Sequence, residues 1–165
     1  MILGMSTADF TLLHVVISVI AITSGFIVLG GMYAPRRLPG WTELFLVTTA
    51  LTSVTGFFFP NAKITPAQVF GAVSLIVLVL TLVALYGFHL RGAWRWIYAG
   101  GAVVLLYLNV FVVVAQLFAK VPALQVLAPT QSEPPFLVTE LIVLAVFVVL
   151  GILALVKFHP ERAPA

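Results

Sequence analysis

Residues 136–158 read FLVTELIVLAVFVVLGILALVKF, an apolar run with one acid near its start, Glu140, and one base near its end, Lys157. A helix of about 20 apolar residues crosses a hydrocarbon core of about 30 Å. Lipid offers backbone N–H and C=O groups no partners, so such a run must satisfy them internally, as a helix. Upstream, four further stretches fit the same length, at about 10–32, 41–59, 66–88 and 96–118. The expectation is an all-α polytopic membrane protein, a bundle of five transmembrane helices. It forms a single transmembrane domain over 1–165, with an outer loop at 119–135.

The composition agrees. The chain is 62% hydrophobic and only 8% charged, with a mean hydropathy of +1.22. Soluble domains carry about 25% charged residues. Eight basic and five acidic side chains cannot clothe a water-facing surface, so a soluble enzyme is excluded and a nucleic-acid-binding surface is not expected. There is no cysteine, which removes disulfides, thiolate metal sites, cysteine nucleophiles and covalent haem attachment. The start, MILGMSTADF, lacks the positive region of a signal peptide, and the first apolar run is expected to stay as a span.

Local signals punctuate the runs. Thr65-Pro66 is a helix start, with threonine as N-cap and proline in the first turn. Pro60-Asn61 stops the second run, Pro35 and Pro39-Gly40 break the chain after the first, and Pro134-Pro135 precede the fifth. In the outer loop, 121–128 reads as an interfacial turn of helix, and 129–135 as an ordered cap or a mobile flap.

Charge sets the expected orientation. With five spans, Arg36, Arg37, Arg91, Arg95, Lys157 and Arg162 fall on one side and only Lys63 and Lys120 on the other. Basic residues stay in the cytoplasm, so the N-terminus is expected outside and the C-terminus inside. Trp41, Trp94 and Trp96 then lie at the inner interface, where aromatic rings anchor.

Polar residues inside spans are the candidate functional positions, because they are costly there unless paired or hydrated. Thr11, His14, Ser18, Ala21 and Gly25 recur at helical spacing, as do Thr42, Thr49, Ser53 and Gly56. Asn109 and Gln116 are seven apart and point the same way. Small and hydroxyl residues of this kind chiefly let membrane helices approach and bond. By depth, His14, Glu140, Gln116, Gln68 and Ser53 share a layer in the outer leaflet. A His14–Glu140 pair there would satisfy both groups, either as a structural network or as a ligand or proton-exchange site. On the inner side Arg36, Arg37, Glu43, Arg91 and Arg95 form a candidate interface patch, as a snorkelling ion pair or as a surface for an acidic partner or lipid headgroup.

No catalytic motif stands out: HExxH, GxSxG and the phosphate loop are all missing from the sequence. No cofactor is predicted. Bis-histidine haem needs two histidines on one side of the membrane: His14 has no such partner, and His89 and His159, which share the inner side, fall at the water boundary rather than inside the bundle. Haem or quinone therefore stays a secondary possibility, and no metal site is expected.

The stretches FLVTTALTSVTGFFFP (45–60), FHLRGAWRWIYAGGAVVLLYLNVFVVVAQLFAKVPAL (88–124) and APTQSEPPF (128–136) resemble small uncharacterised polytopic inner-membrane proteins of bacteria, proteobacteria in particular. The resemblance implies a bacterial inner membrane and carries no activity or site residue. The expected role is a non-enzymatic accessory, assembly or scaffold component. Its partners would be the lipid bilayer and either further copies or a larger membrane complex, with no nucleic acid. The alternatives are a small ligand-binding or redox protein (quinone, lipid or haem) using the outer-leaflet layer, and a small solute or proton transporter acting as an oligomer.

Overall fold

The computed structural model describes residues 1–34, 36–60 and 65–159. Pro35, Asn61, Lys63 and Arg162, which entered the punctuation and charge readings, lie outside the described residues. The described chain is helical: α1 (Thr7–Tyr33), α2 (Pro39–Gly56), α3 (Pro66–Leu82), α4 (Trp94–Lys120), α5 (Pro122–Leu127) and α6 (Pro134–Lys157). A π-helical turn, Val83–Gly87, extends α3.

The helix starts follow the sequence chemistry. Ser6 caps α1 by accepting from the Asp9 N–H at 3.1 Å. At α3 the cap is reciprocal. Thr65 Oγ1 accepts from the Gln68 N–H at 3.3 Å, and Gln68 Oε1 accepts from the Thr65 N–H at 3.0 Å. Two donors with no partner inside the helix are thereby satisfied.

Among the described residues, four helices are long and apolar enough to cross a membrane: α1, α3 with its π turn, α4 and α6. The expected second span, α2, is not among them. Its 18 residues include five threonines, a serine and Glu43, which dilute its apolar character. It also ends at Gly56 rather than near 59, where the chain turns through Phe57 and Phe58.

The helices alternate in direction. The end of α1, the start of α2, the end of α3, the start of α4 and the end of α6 meet at one pole, where Met32, Pro39, Leu85, Tyr98 and Phe158 line one cleft. At the other pole Phe10 of α1 contacts Phe59 after α2 at 5.2 Å, and Phe118 of α4 contacts Phe136 of α6 at 5.4 Å. Central to the packing is α4, which touches α1, α3, α5 and α6. Its buried Ala99, Ala102, Leu105 and Leu106 form the heart of the core.

Close approach depends on glycine at two crossings. A Cβ on Gly101 of α4 would collide with Thr81 Oγ1 of α3. One on Gly25 of α1 would come within 2.7 Å of Leu106 Cδ1 and 2.8 Å of Phe45 Cε2. Small residues let helix backbones approach in this way, so dispersion and short polar contacts can hold them.

Candidate functional site

The threonines of α2 supply most of the polar contacts in the bundle, and they divide between two neighbours. Toward α4, Thr42 Oγ1 lies 3.3 Å from the Tyr98 hydroxyl, and Asn109 Nδ2 donates to Thr49 Oγ1 at 3.3 Å. Toward α1, Ser18 Oγ donates to Thr52 Oγ1 at 3.4 Å, and His14 Nδ1 lies 2.7 Å from Thr55 Oγ1. The hydroxyl hydrogen of Thr55 goes to the Leu51 carbonyl at 2.6 Å. A hydroxyl has one hydrogen, so the imidazole N–H is the donor to Thr55. The result is a polar seam running from the Thr42 end of α2 to its Thr55 end.

The five residues expected in one outer layer take different environments. His14 is half-buried between Thr55 and the edge of the Phe59 ring, whose centroid is 5.3 Å away. Gln68 is engaged in the α3 capping box, and Ser53 is buried on α2. Gln116 is exposed although Asn109, seven residues earlier, is buried. The two share a helix face, but Gln116 sits level with the end of α2, where that face loses its neighbour.

Glu140 is 7% exposed, and neither carboxylate oxygen has a hydrogen-bond partner among the described residues. The His14–Glu140 hydrogen bond considered from sequence is not formed. The two helices that carry these residues meet nearer the other pole, through Phe26–Phe147 at 6.2 Å and the Tyr33 hydroxyl donating to the Leu150 carbonyl at 3.0 Å. Along α6, Glu140 instead lies between Phe136, which contacts Phe118, and Phe147, which contacts Tyr107. Above it, Phe118, Ala128 and Phe136 form a small apolar plug, and Gln131 Nε2 ties the loop down by donating to the Ala115 carbonyl at 2.5 Å.

At the opposite pole lies a cleft enclosing a cavity of about 50 Å³. Its apolar floor is Val28, Met32, Leu85 and Phe158, and its polar rim includes Arg36, Arg37, Thr42, Glu43, Tyr86 and Tyr98. The rim is held by the α1–α2 connection. The Arg36 N–H donates to the Gly31 carbonyl at 2.9 Å, and Leu38 packs so tightly on Gly31 that a Cβ there would lie 2.8 Å from Leu38 Cδ1. The π turn carries Leu85 and Tyr86 to the cleft.

Of the expected interface patch, Arg36, Arg37 and Glu43 line this cleft and Arg91 and Arg95 do not. Arg95 instead lies over the Trp96 ring, 5.2 Å from its centroid. Among the described residues no ion pair within 4.0 Å joins Glu43 to any of these arginines, so the snorkelling pair is not made. His89 and His159 are both exposed at this pole, and His159 Nδ1 lies 3.3 Å from the Lys157 carbonyl. No group of three or more metal-ligating side chains occurs among the described residues.

Sequence reading missed the pairing of Thr42 with Tyr98 and the position of Tyr107 beside the Glu140 segment. Both depend on how α4 is rotated against its neighbours, which its largely apolar sequence does not fix.

Fold and polar seam together fit a multi-pass integral membrane protein built as a helical bundle. No family model, no curated protein and no solved structure matches the chain.

Proposed function

We propose that this chain is a five-span protein of a bacterial inner membrane, N-terminus outside and C-terminus cytoplasmic, acting as a non-enzymatic accessory or scaffold component of a membrane complex. Support for the fifth span comes from α2 itself. Its 18 residues, at 1.5 Å each, make about 27 Å of helix. It also reaches from the cleft, at Thr42, to the His14 pole, at Thr55. A helix that crosses the full height of a bundle of spanning helices crosses the membrane with them, its hydroxyls turned inward. The positive-inside bias supports the orientation, and the likeness of residues 45–60 and 88–124 to small bacterial inner-membrane proteins supports the location.

The observation that carries the scaffold reading is the use made of the polar residues. Thr42, Thr49, Thr52 and Thr55 all bond to neighbouring helices, so the groups best placed to handle a substrate hold the bundle shut instead. Transport needs a polar path at mid-depth, yet Thr49 and Asn109 are bonded to each other there. Native purification in mild detergent tests the reading. A colourless protein that travels with a larger complex, unchanged by His14→Ala, supports it. A Soret band or stoichiometric quinone lost on Glu140→Gln overturns it.

One observation favours a second reading, an outer-leaflet ligand or proton-exchange site: the unpartnered carboxyl of Glu140. Intramembrane carboxyls are costly, and one without a structural bond is a natural group for binding or releasing a proton.

A further inference from the structure

We propose that the cleft at the Arg36–Arg37 pole binds the headgroup of a zwitterionic phospholipid bearing a phosphate diester and a primary ammonium. Arg36, Arg37 and Glu43 line the same cleft, and no ion pair within 4.0 Å joins them. Unlike charges that share a rim without bonding leave both signs open to a ligand carrying both. A phosphate suits the arginine side, because guanidinium forks match its oxygens in paired, charge-assisted hydrogen bonds. An ammonium with N–H donors suits Glu43, which only accepts.

Position and shape favour a lipid over a free ion. The cleft lies at one end of four helices fit to span a membrane, where headgroups would meet such a bundle, and its floor is apolar. Exposed aromatic residues accompany it, with Trp41 in the first turn of α2 and Tyr86 on its rim, as rings do at membrane interfaces. A cavity of about 50 Å³ holds one or two water-sized groups, since a water occupies about 30 Å³ of liquid. That room suits the tip of an ethanolamine arm, with the glycerol and acyl chains lying outside along the bundle. A trimethylated choline is bulkier and has no N–H for Glu43. A glycerol headgroup presents no cation to it at all.

The test is native mass spectrometry on the delipidated full chain in detergent, titrated separately with phosphatidylethanolamine, phosphatidylglycerol and phosphatidylcholine. Phosphatidylethanolamine is expected to bind tightest. Glu43→Gln should erase its advantage over phosphatidylglycerol while leaving the latter's binding intact. The double change Arg36→Gln with Arg37→Gln should weaken both by roughly tenfold or more, the scale of a lost charge-assisted pair. All three positions are exposed, and the wild-type comparison stands even if a variant folds poorly. Four results overturn the proposal: phosphatidylglycerol binding as well as phosphatidylethanolamine, phosphatidylcholine doing so, no lipid binding selectively, or inorganic phosphate displacing the lipid, which would mark a free-phosphate site.

Discussion

His14 donates its Nδ1 hydrogen to Thr55 Oγ1 across 2.7 Å, because Thr55 has already given its own hydrogen to the Leu51 carbonyl. The bond therefore fixes the imidazole tautomer and fastens the start of α1 to the end of α2. Nitrogen NMR of the protein in micelles should show the Nδ1–H form of His14. Thr55→Val should release it toward the Nε2–H form usual for free histidine. In a double-mutant cycle with His14→Ala the coupling should be about 0.6 kcal/mol, the mean for interhelical hydrogen bonds in membranes. A dominant Nε2–H form in the wild type would contradict the assignment.

Two adjacent glycines should respond in opposite ways to the same change. At Gly101 an added methyl meets the Thr81 hydroxyl, which is fully buried and bonded to the Val77 carbonyl at 2.7 Å. Gly101→Ala is expected to cost about 1–3 kcal/mol as α3 and α4 are pushed apart. At Gly100 the new methyl finds Leu155 Cδ2 at an ordinary 3.9 Å. Gly100→Ala should therefore be neutral or stabilising by up to about 1 kcal/mol through helix propensity. Thermal unfolding in detergent compares the two.

Glu140 predicts a gain from losing a polar group. A buried acceptor without a partner costs about 1–3 kcal/mol, so Glu140→Leu should raise the unfolding midpoint. Glu140→Gln, equally unpartnered, should change it less. A clear loss of stability in Glu140→Leu would show that the carboxyl holds the fold together through a bond to another group.

The surface turn before α6 should be sensitive to acid. The Thr130 hydroxyl, 2.7 Å away, and then the Thr130 and Ser132 N–H groups hold the Glu133 carboxyl below the usual carboxylate range. A carboxyl with a lowered folded value contributes fully above its unfolded value of about 4.3. The contribution fades as pH falls through the lower folded one. Hydrogen-exchange protection at Thr130 and Ser132 should therefore drop on acidification. In Glu133→Gln it should be low at every pH.

Much of this architecture was readable from particular residues. The Thr65-Pro66 start, the helix at Pro122–Leu127 and the apolar runs behind α1, α3, α4 and α6 follow from local chemistry that acts within a few residues. The site was less readable, because depth along a helix is a one-dimensional measure. It put His14 and Glu140 in one layer but could not show how α1 and α6 are rotated or where they touch. Likewise, spacing put Thr42 and Thr49 on one face with Ser53 and Gly56, but it could not show which neighbour that face meets or that the threonines beside it bond elsewhere. In the folded bundle the threonines of α2 split, with Thr42 and Thr49 toward α4 and Thr52 and Thr55 toward α1.

If α2 crosses the membrane with the other four long helices, as proposed, the two ends of the chain lie on opposite sides. Because the sequence contains no cysteine, a single introduced one is a unique reporter. Ser6→Cys and His159→Cys, placed separately and treated in intact spheroplasts with a membrane-impermeant thiol reagent, test this directly. Five crossings predict labelling of Ser6→Cys from outside and of His159→Cys only after lysis. Labelling of both from the same side would mean an even number of crossings, and α2 would not be a span.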